Sequence, residues 1–595
     1  MPIWDLRCGD ADDDRTSPYG VGWKSLIFSN VLEFSYLKAA LAFLILIVIP
    51  ALLVGVAPSI ILTYGRHTLE TVASVGRNPK LFVVVILVAL IVLPLLAGRR
   101  FLSIALDNFW HLHYTLAFPI FVALREIFRA ISERLPGMTS TQEHLYRRRR
   151  LGTVFAAVVL GGAGLALAMS VEFSIGLQLV NVERVAPWAV ARAALDNAAM
   201  VFGFSTAAAS AFWLWRELSV SGPVLDWIPS QSEQAAPVGR VAHLSDLHLV
   251  GERYGYRMET GMHGAQGNQC VYDALQKLAD LHAAQPVDWV LVTGDITDAG
   301  TRSEWLQFLD LLQLFPELRS RMCLVPGNHD VNIVDRTNTA RPDLPWSMGK
   351  SLRKLRFVLA LDEIQGDRAH LVDHKSGTLG PSLAHYLREG HRLELLRGLA
   401  EEGTLRGRWE LSKVWNAMFP LVEPAADGRR YGLILLDSNA PSNVSLTNAI
   451  GVVNPTQLRG VRAILRNVDG GAWLILLHHQ VVEYPVLGIP LRDRIGLALM
   501  NAPDLLAAIS PHAERVLVLH GHRHVDWIGA IRGAVLCSAP SVTMGLEKYR
   551  GRFTIHEFTV SSTNRIRVTA NERINTSVTP SALSPLNRGN SREAA

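Results

Sequence analysis

Val325-Pro326-Gly327-Asn328-His329-Asp330 closes an apolar strand predicted over 323–325. Gly327 lets the chain turn sharply at the strand end, and an amide oxygen, an imidazole and a carboxylate follow at once. That is the outline of an active-site loop. Further apolar runs at 240–244, 289–293, 322–325, 431–436, 473–477 and 515–519 read as buried strands. Helical patterns between them predict α/β layering.

Most of these strands end in a polar cluster at the carboxyl end, where layered α/β folds gather ligands. Asp246 and His248 follow the first, and Gly294-Asp295-Ile296-Thr297-Asp298 the second. Asn328 and His329 follow the third, His478-His479 the fifth, and Gly521-His522-Arg523-His524 the last. Asp246 and His248 stand two apart, so an extended chain points both the same way. Carboxylates, imidazoles and one amide without thiolates suit Mn, Fe, Zn or a similar divalent ion, and the donors are numerous enough for two. No Ser, His and Asp arrangement supplies a protein nucleophile.

Taken in this order, D-x-H, GDxxD, GNHD, H and GHxH resemble the calcineurin-like metallophosphoesterase family over roughly 240–560. The resemblance implies a four-layer α/β/β/α sandwich around two metals. Asp246, His248, Asp295 and His524 would hold the first, and Asp295 would bridge to a second held also by Asn328, His478 and His522. His329 would contact the phosphate or protonate the leaving oxygen, with Asp298 and Asp330 orienting the site. The implied reaction is hydrolysis of a phosphodiester by a hydroxide bridging metals about 3.5–4 Å apart. Family members often follow the fourth-motif histidine with proline, whereas Gln480 follows His479 here. His478 aligns better than His479 with the family's single histidine. His243 reads as a sheet residue, His263 as part of a glycine-rich loop, and Asp437-Ser438-Asn439 as a turn. Arg523 is read either as a phosphate contact or as a solvent-exposed side chain.

The 595 residues are 49% hydrophobic with a mean hydropathy of +0.20, and the excess lies before about residue 220. Uncharged apolar runs at 39–62, 81–98, 151–171 and 197–215 are long enough for membrane helices. Gly161, Gly162 and Gly164 would let a neighbouring helix approach, and Trp213, Trp215 and Arg216 resemble interfacial anchors. Between the second and third runs lie Arg99, Arg100, Arg125, Arg129, Arg134 and Arg147 to Arg150, which place that segment in the cytoplasm. Four spans then leave both termini and the catalytic domain cytoplasmic. Segment 115–131 reads as an amphipathic surface helix or a re-entrant one. The run Arg147 to Arg150 reads as a stop signal that can also attract anionic lipid.

The predicted organisation is a cytoplasmic segment 1–35, an all-α transmembrane domain 36–220, a linker 221–239 and a catalytic domain 240–562. A helical insertion is expected at about 335–430, and a disordered tail at 563–595. Cys8, Cys270, Cys323 and Cys537 lie far apart and fit a reducing compartment. A net charge of +5 gives no general nucleic-acid affinity, and no basic and aromatic stripe marks strand binding. The leading function is a membrane-anchored phosphodiesterase acting on a nucleotide or lipid headgroup ester. A hydrolase of lipid-linked phosphate or pyrophosphate is the second, and a membrane sensor or transporter with a regulatory metal-binding domain the third.

Overall fold

Short runs of leucine, isoleucine and valine between residues 239 and 575 pair into two sheets, and long apolar helices precede them. The computed structural model describes residues 3–8, 43–55, 118–134, 141–178, 187–220, 222–226, 239–251, 268–332, 348–425, 429–439, 450–467, 471–485, 491, 494, 499–544 and 552–575. The helices are α1 (Phe118–Glu133), α2 (Gln142–Ser174) and α3 (Pro187–Val220). Next come β1 (Leu225–Asp226), β2 (Gly239–Leu244), α4 (Gln269–Ala284), β3 (Trp289–Val292), α5 (Arg302–Gln313) and β4 (Met322–Leu324). Strands β2, β3 and β4 run parallel, joined through α4 and α5.

The larger sheet is built on β8 (Tyr431–Leu435), β9 (Ala472–Leu476) and β10 (Val516–His520), also parallel. Alternation along these strands sends Leu433, Leu435, Leu474, Leu476, Leu517 and Leu519 into the core shared with the smaller sheet. Ile434, Ile475, Val516 and Val518 face the other way, against Leu458 and Val461 of the helix Pro455–Asn467 and Leu505 of the helix Ala502–Ile509. Both parallel groups turn their carboxyl ends to one edge.

The segment expected as a helical insertion is only partly helical. Helices Met348–Gln365, Leu383–Arg388, Arg392–Glu402 and Leu405–Met418 alternate with β5 (His370–Val372), β6 (Leu379–Ser382) and β7 (Leu421–Glu423), which extend the large sheet beyond β8. Strands of three or four residues leave no apolar run to read. The disordered tail expected over 563–595 is corrected for its first part, since β14 (Ile566–Asn575) pairs antiparallel with β13 (Arg552–Val560), and β13 with β2; 576–595 lie outside the described residues. As the sheet's edge, β14 buries Val568 and Ile574 and carries Arg567, Glu572 and Arg573, which hid it.

Glu423 of β7 is 1% exposed, with Cys323 Sγ 3.3 Å and Arg368 Nη1 3.5 Å from its carboxylate. Burial pushes its carboxyl up to about 7, against the pull of Arg368. The native state therefore binds more protons than the unfolded chain between about pH 4.5 and 7, and stability falls as pH rises through that window. Glu423→Gln is expected to remove about 3 kcal/mol of this loss, flattening the denaturation midpoint against pH relative to wild type. An unchanged slope would refute the assignment.

Residues 3–8 lie against the two-sheet domain. Ile3 and Leu6 join its core, the carbonyl of Leu6 accepts from Arg302 Nη1 at 3.0 Å, and Arg7 pairs with Asp310. Helices α2 and α3 cross closely at glycines: a Cβ on Gly164 would fall 2.7 Å from the Gly203 carbonyl oxygen. Gln142–Ser174 and Val190–Val220 are long and apolar enough to cross a membrane. Of the expected spans, 39–62 is described over 43–55, where Ile47 and Ala51 pack on Ala198 of α3, and 81–98 lies outside the described residues. Helix α1 buries one face against its neighbours and leaves Ile120 and Ile131 exposed. Phe118, Phe121 and Val122 pack with Trp213, Ala156 and Met500, while Arg125 and Glu126 are buried in ion pairs with Glu217 of α3 and Arg129. Its charges have partners almost a hundred residues away, which no local pattern reveals.

Candidate metal centre

Loops leaving the carboxyl ends of β2, β3, β4, β8, β9 and β10 converge at the common edge of the sheets. Asp246, His248, Asp295, His522 and His524 all have positive φ, between 44° and 71°. The expectation that Asp246 and His248 project together from extended chain is therefore corrected: β2 ends at Leu244, and both residues are left-handed. Each such residue costs about 1–3 kcal/mol, which the surroundings must offset. Backbone bonds from Asp246 N to Gly294 O (3.0 Å) and His248 N to Asp295 O (2.9 Å) hold the first two loops together. Ser541 Oγ donates to the Asp246 carbonyl at 2.6 Å, and the His522 amide donates to Asp246 Oδ2 at 3.1 Å. Gly521 must be glycine, because a Cβ there would lie 1.8 Å from Ser245 Oγ.

The side chains gather into overlapping donor groups. Atoms of Asp246, His248 and His524 lie within 4.8 Å of one another, as do those of Asp295, His478 and His522. Asp295 Oδ2 stands between the groups, 3.2 Å from His478 Nε2 and 3.9 Å from His248 Nε2. Asn328 Oδ1 is 3.0 Å from His478 Nε2, and His522 Nδ1 is 3.1 Å from it. His524 Nε2 is 3.2 Å from Asp246 Oδ1. A further group, unforeseen from sequence, joins His248, Asp298 and His329. Asp246 Oδ1, His248 Nε2 and His522 Nε2 are buried and make no hydrogen bond. Buried polar atoms normally find partners, so these atoms fit a cation.

Charge and tautomer are set by neighbours. Burial opposes a charged His478, but the Asp295 carboxylate raises its imidazole to about 9. Burial likewise opposes ionised Asp295, yet His478 and His329 hold its carboxyl well below the usual range. Burial with His479 and His478 nearby pushes His522 well down. His478 Nδ1 donates to the Thr293 carbonyl at 2.8 Å, turning Nε2 towards Asp295. His329 Nδ1 donates to the Asp298 carbonyl at 2.7 Å. Asp330 accepts from Gly327 N, Ile296 N, Thr297 N and Thr297 Oγ1, tying two loops together.

His479 Nδ1 is 2.9 Å from Ser438 Oγ, and its ring packs over Gly451 and stands 4.4 Å from the ring of His522. Arg523 is 9% exposed at its side chain and faces Glu483, with 3.9 Å between Nη1 and Oε1. His243 is fully buried in the sheet between Thr293 and His556. His263 lies outside the described residues. The turn at 437–439 is more than a turn. Ser438 Oγ accepts from the amides of His478 and His479, and Asn439 Nδ2 donates to the Pro326 carbonyl. Its place at the carboxyl end of β8, level with the other loops, was the available signal.

A profile of the family described as Calcineurin-like phosphoesterase matches residues 239–526. A probable cyclic nucleotide phosphodiesterase of Coxiella burnetii is 33% identical over 98 residues, which is 16% of this chain and 34% of that protein. The chain thus spans about one third of the length of this curated relative. Among solved structures, a dimetal phosphatase from Danio rerio is 17% identical with a TM-score of 0.32, covering 57% of this chain and 100% of the other. A putative 5'-nucleotidase from Staphylococcus aureus is 10% identical with a TM-score of 0.28, covering 57% and 54%. With the converging Asp and His donors, the family match makes residues 239–526 a calcineurin-like metallophosphoesterase domain whose side chains fit two divalent cations.

Proposed function

We propose that this protein is a membrane-anchored, metal-dependent phosphoesterase that hydrolyses a phosphodiester. Asp246, His248, Asp295 and His524 would hold one divalent cation, and Asp295, Asn328, His478 and His522 the other. The position of Asp295 Oδ2 carries this reading, because one carboxylate oxygen faces an imidazole nitrogen of each donor group. When bound, the cations supply positive charge against the phosphate and acidify a water. His329 does the proton work. Its Nδ1 is committed to the Asp298 carbonyl, so the proton given to the leaving oxygen travels through Nε2, and its ring stands edge-on to His248 at 4.6 Å.

The diester preference draws on the relative named as a probable cyclic nucleotide phosphodiesterase. The test is turnover by the full-length chain in detergent with Mn²⁺, comparing a chromogenic diester with the matching monoester. Faster diester cleavage that disappears with chelator is expected. Monoester preference would overturn the diester assignment, and two bound Mn²⁺ without turnover of either would favour a regulatory domain.

Anchoring rests on α2 and α3, whose apolar windows are 22% and 39% buried, unlike core helices. Phe155, Val158, Phe173, Leu195 and Trp215 point outward from them, a belt that water would disfavour. The packing of residues 3–8 on the domain that follows the helices supports an even number of bilayer crossings between them. With the arginine-rich segment inside, the catalytic domain is cytoplasmic. Cys8 is exposed and reports this placement. In a Cys270→Ala background, an impermeant maleimide is expected to label Cys8 in inverted vesicles and not in intact cells; the reverse pattern would overturn the topology.

A further inference from the structure

The arginine run at the start of α2 has four different fates. Arg147 pairs with Glu143 on the surface, and Arg148 Nη1 donates to the Glu133 carbonyl at 2.8 Å. Arg149 is buried, with Nε 2.7 Å from Glu133 Oε1 and Nη1 donating to the Glu483 carbonyl at 3.1 Å. Arg150 is exposed and makes no ion pair among the described residues. It stands on the wall of a cavity of about 130 Å³ between the helices and the catalytic domain.

That cavity is two-natured. Leu145, Leu218, Val481, Val482, Leu499 and Leu506 give it apolar walls, while Arg125 and Arg129 beside it are neutralised by Glu126 and Glu217. One water needs about 10–15 Å³ on the same measure, so the cavity has room for several waters or for a phosphate group. Its level is set by α2: the uncharged run begins at Leu151, directly after Arg150, so a spanning α2 puts the opening among phospholipid headgroups. One wall is the loop 480–485, which follows His478 and His479. Within it Glu483 Oε1 lies 3.9 Å from Nη1 of Arg523, the residue between His522 and His524.

We propose that this cavity binds the phosphate headgroup of an anionic membrane phospholipid through Arg150 and so steadies the loop 480–485, making turnover depend on anionic lipid. The proposal rests on the membrane-anchored reading above. A neutral headgroup offers the exposed guanidinium no net charge to pair with, whereas an anionic one adds about 1 kcal/mol per arginine near the surface.

The experiment uses the full-length chain in nanodiscs of phosphatidylcholine alone or of phosphatidylcholine and phosphatidylglycerol in equal parts. Diester turnover at saturating Mn²⁺ is expected to be several-fold higher with phosphatidylglycerol. Arg150→Gln abolishes that difference while keeping the phosphatidylcholine rate, and Leu218→Trp, which fills the cavity, does the same. A second readout is independent of catalysis: native mass spectrometry is expected to find phosphatidylglycerol retained by wild type and lost from Arg150→Gln. Equal turnover in both discs together with equal retention by wild type and variant would overturn the proposal. Displacement of the retained lipid by inorganic phosphate would assign the site to a soluble anion instead, and overturn the lipid assignment. Retention without any turnover sustains the cavity while removing the phosphoesterase reading, whereas folded protein released from the discs into water removes the membrane reading and this proposal with it.

Discussion

In the full-length chain, Asp295→Asn is expected to abolish the proposed Mn²⁺-dependent diester turnover while leaving the domain folded. The side chain is 1% exposed, and its Oδ1 accepts the His329 amide at 2.9 Å. Asparagine keeps the volume and can keep that bond, so the loop stays in place. The change is confined to the Oδ2 position, where an NH2 group then faces His478 and His248 and can neither ligate nor attract a cation. The charge that raises His478 disappears at the same time. Residues that merely orient a ligand cost about 10–100-fold when changed. Loss of a shared ligand is expected to exceed about 100-fold, with calorimetric titration showing fewer than two bound Mn²⁺. His329→Asn makes the contrast. It is expected to keep both ions and lose about 100-fold in kcat, because its proposed role is proton transfer. Two Mn²⁺ bound with wild-type turnover in Asp295→Asn would end the assignment of Asp295 as the shared ligand.

What could be read from the sequence follows from how each element is buried. Strands covered on both faces are near-continuous apolar runs, so β3 at Trp289–Val292 and β9 at Ala472–Leu476 lie within a residue of their expected positions. Edge strands carry no such run: β14 alternates Val568 with arginine and glutamate, and β5 has three residues. At the site, residue types in order placed Asp246, Asp295, Asn328, His478 and His522 in one neighbourhood, and the structure brings their atoms together. Their backbone was another matter. Nothing in Asp-x-His announces left-handed φ at both residues, because the conformation is imposed by contacts with Gly294, Asp295 and Ser541, which are distant in sequence. Ser438 and Asn439 were hidden for the same reason, since their partners at His478 and Pro326 are 40 and 113 residues away.

The helices and the catalytic domain are one electrostatic unit, and Glu133→Ala is expected to expose this as a large loss of stability. Glu133, near the end of α1, is buried, and its carboxylate accepts both Arg149 Nε and Arg494 Nη1, the latter at 2.9 Å, with Arg494 Nη2 also paired to it. Burial opposes the charge on Glu133, yet Arg494 and Arg149 hold its carboxyl below the usual range. Arg494 belongs to the catalytic half of the chain and is 1% exposed. With Glu133 gone, two guanidinium groups lose their shared counter-charge away from water, a change worth about 3–5 kcal/mol. In a thermal melt in which the full-length chain unfolds as one unit this is roughly 2–4 °C. Arg494→Met alone removes one of the buried cations together with its need for a partner, and is expected to cost less than Glu133→Ala; Glu133→Ala with Arg494→Met is expected to recover part of the loss, which marks the penalty as unpaired charge and not lost packing. A catalytic fragment cut away from α1 to α3 also leaves Arg494 without Glu133, so it is expected to melt below the intact protein. If Glu133→Ala melts with wild type, the helical region and the domain are separable, and a soluble fragment would serve as well as the whole chain.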